Sequence, residues 1–156
     1  MPTPAVINAI RRAYALEWTG IHGVGHWARV LENGVRLASL TGARLQVVRL
    51  FAVFHDSRRV KEGHDPGHGR SGADFAAALR GELFQMSDED FELLRIACTD
   101  HTLGKRVGIR PDPNYLCTEP AKDRAMILWA YQRSTARAIP ELVKEWEAWS
   151  NKSEAP

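Results

Sequence analysis

Apolar residues along this chain recur at three- and four-residue intervals, the spacing of helices that each turn one face into a core. Val6, Ile7, Ile10, Tyr14 and Trp18 mark a first helix, started by Thr3 or Pro4. A second is predicted from about His22 to Leu40, ending at Thr41-Gly42, with a broad buried face of Val24, Trp27, Val30, Leu31, Val35 and Leu37. The third, roughly Arg44 to His55, is apolar on most sides, as a central helix should be. Its Val47, Val48 and Val53 would also suit a buried strand, but no neighbouring segment alternates so as to pair with one. From Ser57 to Gly69 the chain is charged, glycine-rich and predicted to be a loop. A fourth helix is predicted over Ser71 to Leu83. A fifth follows Ser87, with Asp88-Glu89-Asp90 as an acidic first turn and Phe91, Leu94, Ile96, Ala97 and Cys98 leading to Asp100-His101. Gly104 to Tyr115 reads as another loop. Thr118-Glu119-Pro120 opens a sixth helix, and Ile139-Pro140-Glu141 opens a short seventh carrying Trp146 and Trp149. The expectation is an all-α, single compact bundle of six to seven helices over residues 1–150, with a frayed tail over 151–156.

Composition narrows the function classes. At 156 residues the chain can form one domain with one sizeable core. Its 21 basic and 19 acidic residues are spread along the sequence, whereas general nucleic-acid binding needs a concentrated basic surface. Cys98 and Cys117 are spaced for neither a zinc knuckle nor a redox pair, and read as reduced, packed thiols. Met1-Pro2-Thr3-Pro4 does not begin a secretory signal, and no segment approaches the roughly 20 apolar residues that span a bilayer. A cytoplasmic location without membrane contact is expected. Nothing in the residues sets the oligomeric state.

The candidate chemistry sits at the end of the central helix. Leu50-Phe51-Ala52-Val53-Phe54 is closed by His55-Asp56, so an imidazole and a carboxylate are delivered to a buried place. Burying them is costly unless they pair or hold an ion. Five of the six histidines fall between His26 and His101, and a metal site explains the grouping. His26 lies mid-helix, one turn after His22 on the same face. Two adjacent helices can bring His26 to the His55-Asp56 doublet. Mixed nitrogen and oxygen ligands suit Mn, Fe, Co, Ni or Zn better than Ca.

His26-Trp27-Ala28-Arg29-Val30 and the His55-Asp56 doublet resemble the first motifs of the HD-domain metal-dependent phosphohydrolase superfamily. The likeness runs from about Ile21 to Trp129. It implies an HD-like helical domain that binds one or two divalent transition-metal ions. His26, His55 and Asp56 would be ligands, with Asp56 the central catalytic carboxylate able to bridge two ions. His68 and His101 fall where two-metal members place extra ligands. The alternatives are a solvated loop histidine for His68 and a structural one for His101. His64 reads as a loop residue or phosphate contact, His22 as a surface residue or a support for the ligands. Arg58, Arg59 and Lys61 can hold a phosphate, since guanidinium binds it bidentately, or can be a solvated charged loop.

The superfamily pattern ends with a further Asp on a later helix, and here the chain departs from it. His101-Thr102-Leu103 runs almost directly into Gly104-Lys105-Arg106-Val107-Gly108-Ile109-Arg110-Pro111, where relatives would carry an acidic segment. Asp100, Asp112 and Asp123 are conceivable substitutes away from the motif position. Two histidines and a carboxylate still make a workable catalytic set, with metal affinity lowered by the lost anion. The resemblance implies metal-assisted hydrolysis of a nucleotide or small phosphomonoester. The alternatives are an HD domain that binds metal or nucleotide without turnover, a diiron HD-type oxygenase, and a structural helical protein.

Overall fold

The computed structural model describes residues 1–41 and 43–102, and this part of the chain is helical, with no strand among the described residues. Five helices follow in order: α1 (Pro4–Ala13), α2 (Val24–Thr41), α3 (Leu45–Phe54), α4 (His68–Leu79) and α5 (Asp88–His101). The predicted sixth and seventh helices, the 104–115 loop and the tail lie outside the described residues.

Helix ends follow local chemistry. Thr3 caps α1, its hydroxyl accepting from the Val6 N–H, and proline occupies the first turn, where its missing N–H costs nothing. Ser87 caps α5 by accepting from the Asp90 N–H at 3.2 Å. Three carboxylates in that first turn favour the positive end of the helix dipole. Arg44 reaches across to two of them, Glu89 at 2.8 Å and Asp90, and so ties the start of α3 to the start of α5.

Two helices, α1 and α4, differ in extent from the sequence reading. α1 stops at Ala13, and Tyr14 turns into extended backbone. Trp18 instead packs edge-on against Tyr14 and Trp27, with ring centroids 6.1 and 5.3 Å apart. α4 begins at His68, three residues early, and ends at Leu79. A turn at Gly81, whose φ of 87° is open to glycine at no steric penalty, then leads to Phe84.

α3 is the centre. Seven of its ten residues are buried, and it touches each of the other four helices. Burying each large apolar side chain contributes roughly 1.5–3 kcal/mol, so this one helix carries much of the core. Its last turn delivers His55 and Asp56 into the interior, both fully buried.

Two glycines let α4 approach. A Cβ at Gly72 would lie 2.2 Å from the Phe54 carbonyl oxygen, and one at Gly69 would lie 2.0 Å from that of Cys98. Only hydrogen fits at either place. The first contact seats α4 on the end of α3, and the second brings its first turn against α5.

Candidate metal centre

Asp56 stands between two pairs of imidazoles, and each of its oxygens faces one pair. Oδ2 lies 3.5 Å from both His26 Nε2 and His55 Nε2. Oδ1 lies 2.9 Å from His68 Nε2 and 3.6 Å from His101 Nε2. Within the pairs, His26 Nε2 and His55 Nε2 are 3.0 Å apart, as are His68 Nε2 and His101 Nε2. Four helices supply these residues: α2 gives His26, the end of α3 gives His55 and Asp56, α4 gives His68, and α5 gives His101.

The other ring nitrogens explain why the Nε2 atoms point inward. His55 Nδ1 donates to the Phe51 carbonyl at 3.1 Å, and His101 Nδ1 donates to that of Cys98 at 2.5 Å. His68 Nδ1 does the same to Asp65. Each acceptor lies three or four residues earlier, on the histidine's own turn of chain. A neutral imidazole with its proton on Nδ1 leaves a lone pair on Nε2. Burial keeps the rings neutral where a shift is resolved. His26 is lowered to about 4, burial outweighing the attraction of Asp56, and fully buried His55 is held well below its usual value for the same reason. Burial alone would raise the Asp56 carboxyl. The surrounding imidazoles, His55 first and then His101 and His68, overcome that and hold it well below the usual carboxylate range.

Lone pairs aimed at one another and at an anion repel unless a proton or cation lies among them. The Arg59 guanidinium, 3.1 Å from His68 Nε2, meets part of that need on the His68–His101 side. Both Asp56 oxygens are buried, and neither has an aligned hydrogen-bond donor among the described residues, despite the nearby nitrogens. Ligands ~2.1 Å from an ion and at right angles around it stand about 3.0 Å apart, which is the spacing within both histidine pairs. Donor chemistry, spacing and the unsatisfied carboxylate fit a metal. Two triads, His26-His55-Asp56 and Asp56-His68-His101, can each hold an ion, and they share Asp56.

The sequence-derived candidates sort clearly. His26, His55, Asp56, His68 and His101 come together. His68 is a buried first residue of α4, and the alternative of a solvated loop histidine is set aside. Of the phosphate-binding candidates, Arg59 is buried. Its guanidinium donates to the carbonyls of Lys61, Glu62 and Gly63, and its Nη1 lies 3.5 Å from Asp56 Oδ1. It therefore ties the loop to the centre. Arg58 is exposed, donates to the Ala13 carbonyl at 2.7 Å and lies over the Phe75 ring. Lys61 and His64 are exposed on the loop. His22 pairs with Glu62 at 2.5 Å, 40 residues away, and its ring meets that of His26 edge-on. Asp100, on α5, belongs to neither triad, while Asp112 and Asp123 lie outside the described residues.

Sequence reasoning missed the three carbonyl acceptors and Tyr14. The acceptors had a usable signal, because a histidine near a helix end often reaches a carbonyl one turn back. Tyr14 had none. Its hydroxyl is buried without a partner among the described residues, and its phenol is pushed up by burial, then by the charges of Asp56 and Glu62.

Compared with family models, with curated proteins and with solved structures, the chain matches none.

Proposed function

We propose that this protein is a metal-dependent phosphohydrolase of the HD type, with Asp56 bridging two divalent ions. The observation that carries the reading is the sharing of one buried carboxylate by two histidine pairs, one oxygen to each. His26 and His55 would hold one ion, His68 and His101 the other. Bound ions would supply a water of lowered pKa and polarise a phosphoryl oxygen. The chain's own part is to hold the Nε2 lone pairs in place through the carbonyls of Phe51, Asp65 and Cys98. Asp56 keeps negative charge at the centre, and Arg59 fixes the following loop. Exposed Lys61 and Arg58 are the cations left to meet a substrate phosphate at the rim.

The test is metal analysis of protein purified without chelator or affinity tag, then a screen of phosphomonoesters and nucleotides with Mn, Co, Ni, Mg and Fe. Near two equivalents of metal and hydrolysis lost in Asp56→Asn are expected. Metal retained without turnover of any phosphate ester would favour the binding-only alternative.

One observation favours a second reading. Four imidazoles to one carboxylate is a nitrogen-rich set, which suits iron. A diiron oxygenase would consume dioxygen when loaded with Fe(II), and a phosphohydrolase would not.

A further inference from the structure

Arg49 is out of place on α3. The helix is otherwise a core element, yet this guanidinium has a buried Nε with no hydrogen-bond acceptor, and no carboxylate among the described residues pairs with it. A buried donor left unmet is unfavourable, and a charged one more so. Arg49 also lines a cavity of about 370 Å³ between the start of α1, α3 and the Phe84 turn. None of the histidines or Asp56 lines it, so it is separate from the metal centre.

The lining defines a ligand. Val6, Leu50 and Phe84 are buried apolar walls. Gln46 and Gln85 join the rim, their side-chain amides donating to the carbonyls of Gln85 and Gly81 at 2.7 and 2.9 Å, so one N–H of each is already engaged. Among the described residues no acidic side chain lines the space. The cavity is thus apolar on one side and cationic on the other, with no counter-ion among the described residues. Its volume is at the small end for ligand sites and admits roughly a dozen water-sized groups at ~30 Å³ each. The start of α1, next to Thr3, adds the positive end of a helix dipole.

We infer that this cavity binds a small organic acid, its carboxylate held by Arg49 and its hydrocarbon part by Val6, Leu50 and Phe84. Guanidinium meets a carboxylate with two parallel N–H bonds, one of which would give the unmet Nε its acceptor. The apolar walls select an acid with a short chain over a bare inorganic anion. The inference stands apart from the metal chemistry and does not depend on it.

Hexanoate, acetate and 1-hexanol would be titrated into the full chain as purified, with binding followed by methyl NMR and calorimetry. Hexanoate is expected to shift the Val6 and Leu50 methyl signals, and to bind at least about tenfold more tightly than either acetate or hexanol. Arg49→Met keeps the length and apolar stem, so it should fold at least as well as the parent and lose that tenfold preference over hexanol. Arg49→Lys should retain part of it, and serves if the methionine variant does not fold. Equal binding of hexanoate and hexanol, hexanoate shifts confined to residues around His55, or undiminished preference in Arg49→Met would each overturn the proposal. So would the absence of any hexanoate binding in the parent.

Discussion

His68 Nε2 lies 2.9 Å from Asp56 Oδ1, whereas His26 Nε2 lies 3.5 Å from Asp56 Oδ2, so a single carboxylate serves imidazoles on opposite sides. Asp56→Asn would keep the shape and remove the charge from both sides at once. Metal content is expected to fall from near two equivalents to below one, as read by elemental analysis after dialysis. Because the imidazoles and Arg59 around it favour the ionised carboxylate, the metal-free variant should be somewhat less stable at neutral pH than the metal-free parent. A variant that still retains two ions would show that Asp56 is not the bridge.

Gly69→Ala tests the approach of α4 to α5. The new methyl would fall 2.0 Å from the Cys98 carbonyl oxygen and 2.9 Å from His101 Cε1, so the helices must separate. A loss of roughly 1–3 kcal/mol in denaturant unfolding is expected, typical of overpacking. The His68–His101 pair should be pulled apart while His26 and His55 stay together. The variant should therefore bind one ion where the parent binds two.

Arg59 and Lys61 should part company on mutation. Arg59→Met removes donors to three loop carbonyls and leaves those acceptors to water, so stability should fall by about 1–3 kcal/mol. Lys61→Ala touches only an exposed side chain and should leave stability within about 0.5 kcal/mol, while raising KM for a phosphomonoester. A raised KM with unchanged stability in Arg59→Met would return that residue to the substrate.

The metal-free protein should weaken in acid. His26 titrates at about 4 when folded and near 6.5 when unfolded, so between those values the unfolded chain binds more protons. The contribution is complete above about pH 6.5 and is lost as pH falls towards 4. For His26 alone this separation is worth about 3 kcal/mol, and His55 shifts in the same direction. Urea unfolding of chelator-treated protein across that range should show the decline, and His26→Asn should make it shallower, the His55 part remaining.

The central place of α3 was legible because its apolar run has no polar face, and the joining of His26 to the doublet followed from two neighbouring helices. The position of His68 was not. Glycines on either side of it look like loop residues in the sequence, yet Gly69 and Gly72 are there to admit backbone from other helices. Close packing between distant segments leaves no local signature. The loop role of Arg59 was hidden for a related reason, since an arginine that satisfies carbonyls two to four residues on reads the same as one awaiting phosphate. The end of α1 was overrun because Trp18 keeps the helical spacing while being held by Tyr14 and Trp27.

The bonds from His55, His68 and His101 to carbonyls of their own turns have a kinetic side. Each ring is oriented as its segment of backbone forms, before any ion arrives. Loading then needs no ring flip and no refolding at these three positions, and the slow step passes to the ion, which must shed its bound water. Stopped-flow uptake by metal-free protein should rank divalent ions by how fast they exchange water, and a common rate for all of them would point to a motion of the protein instead.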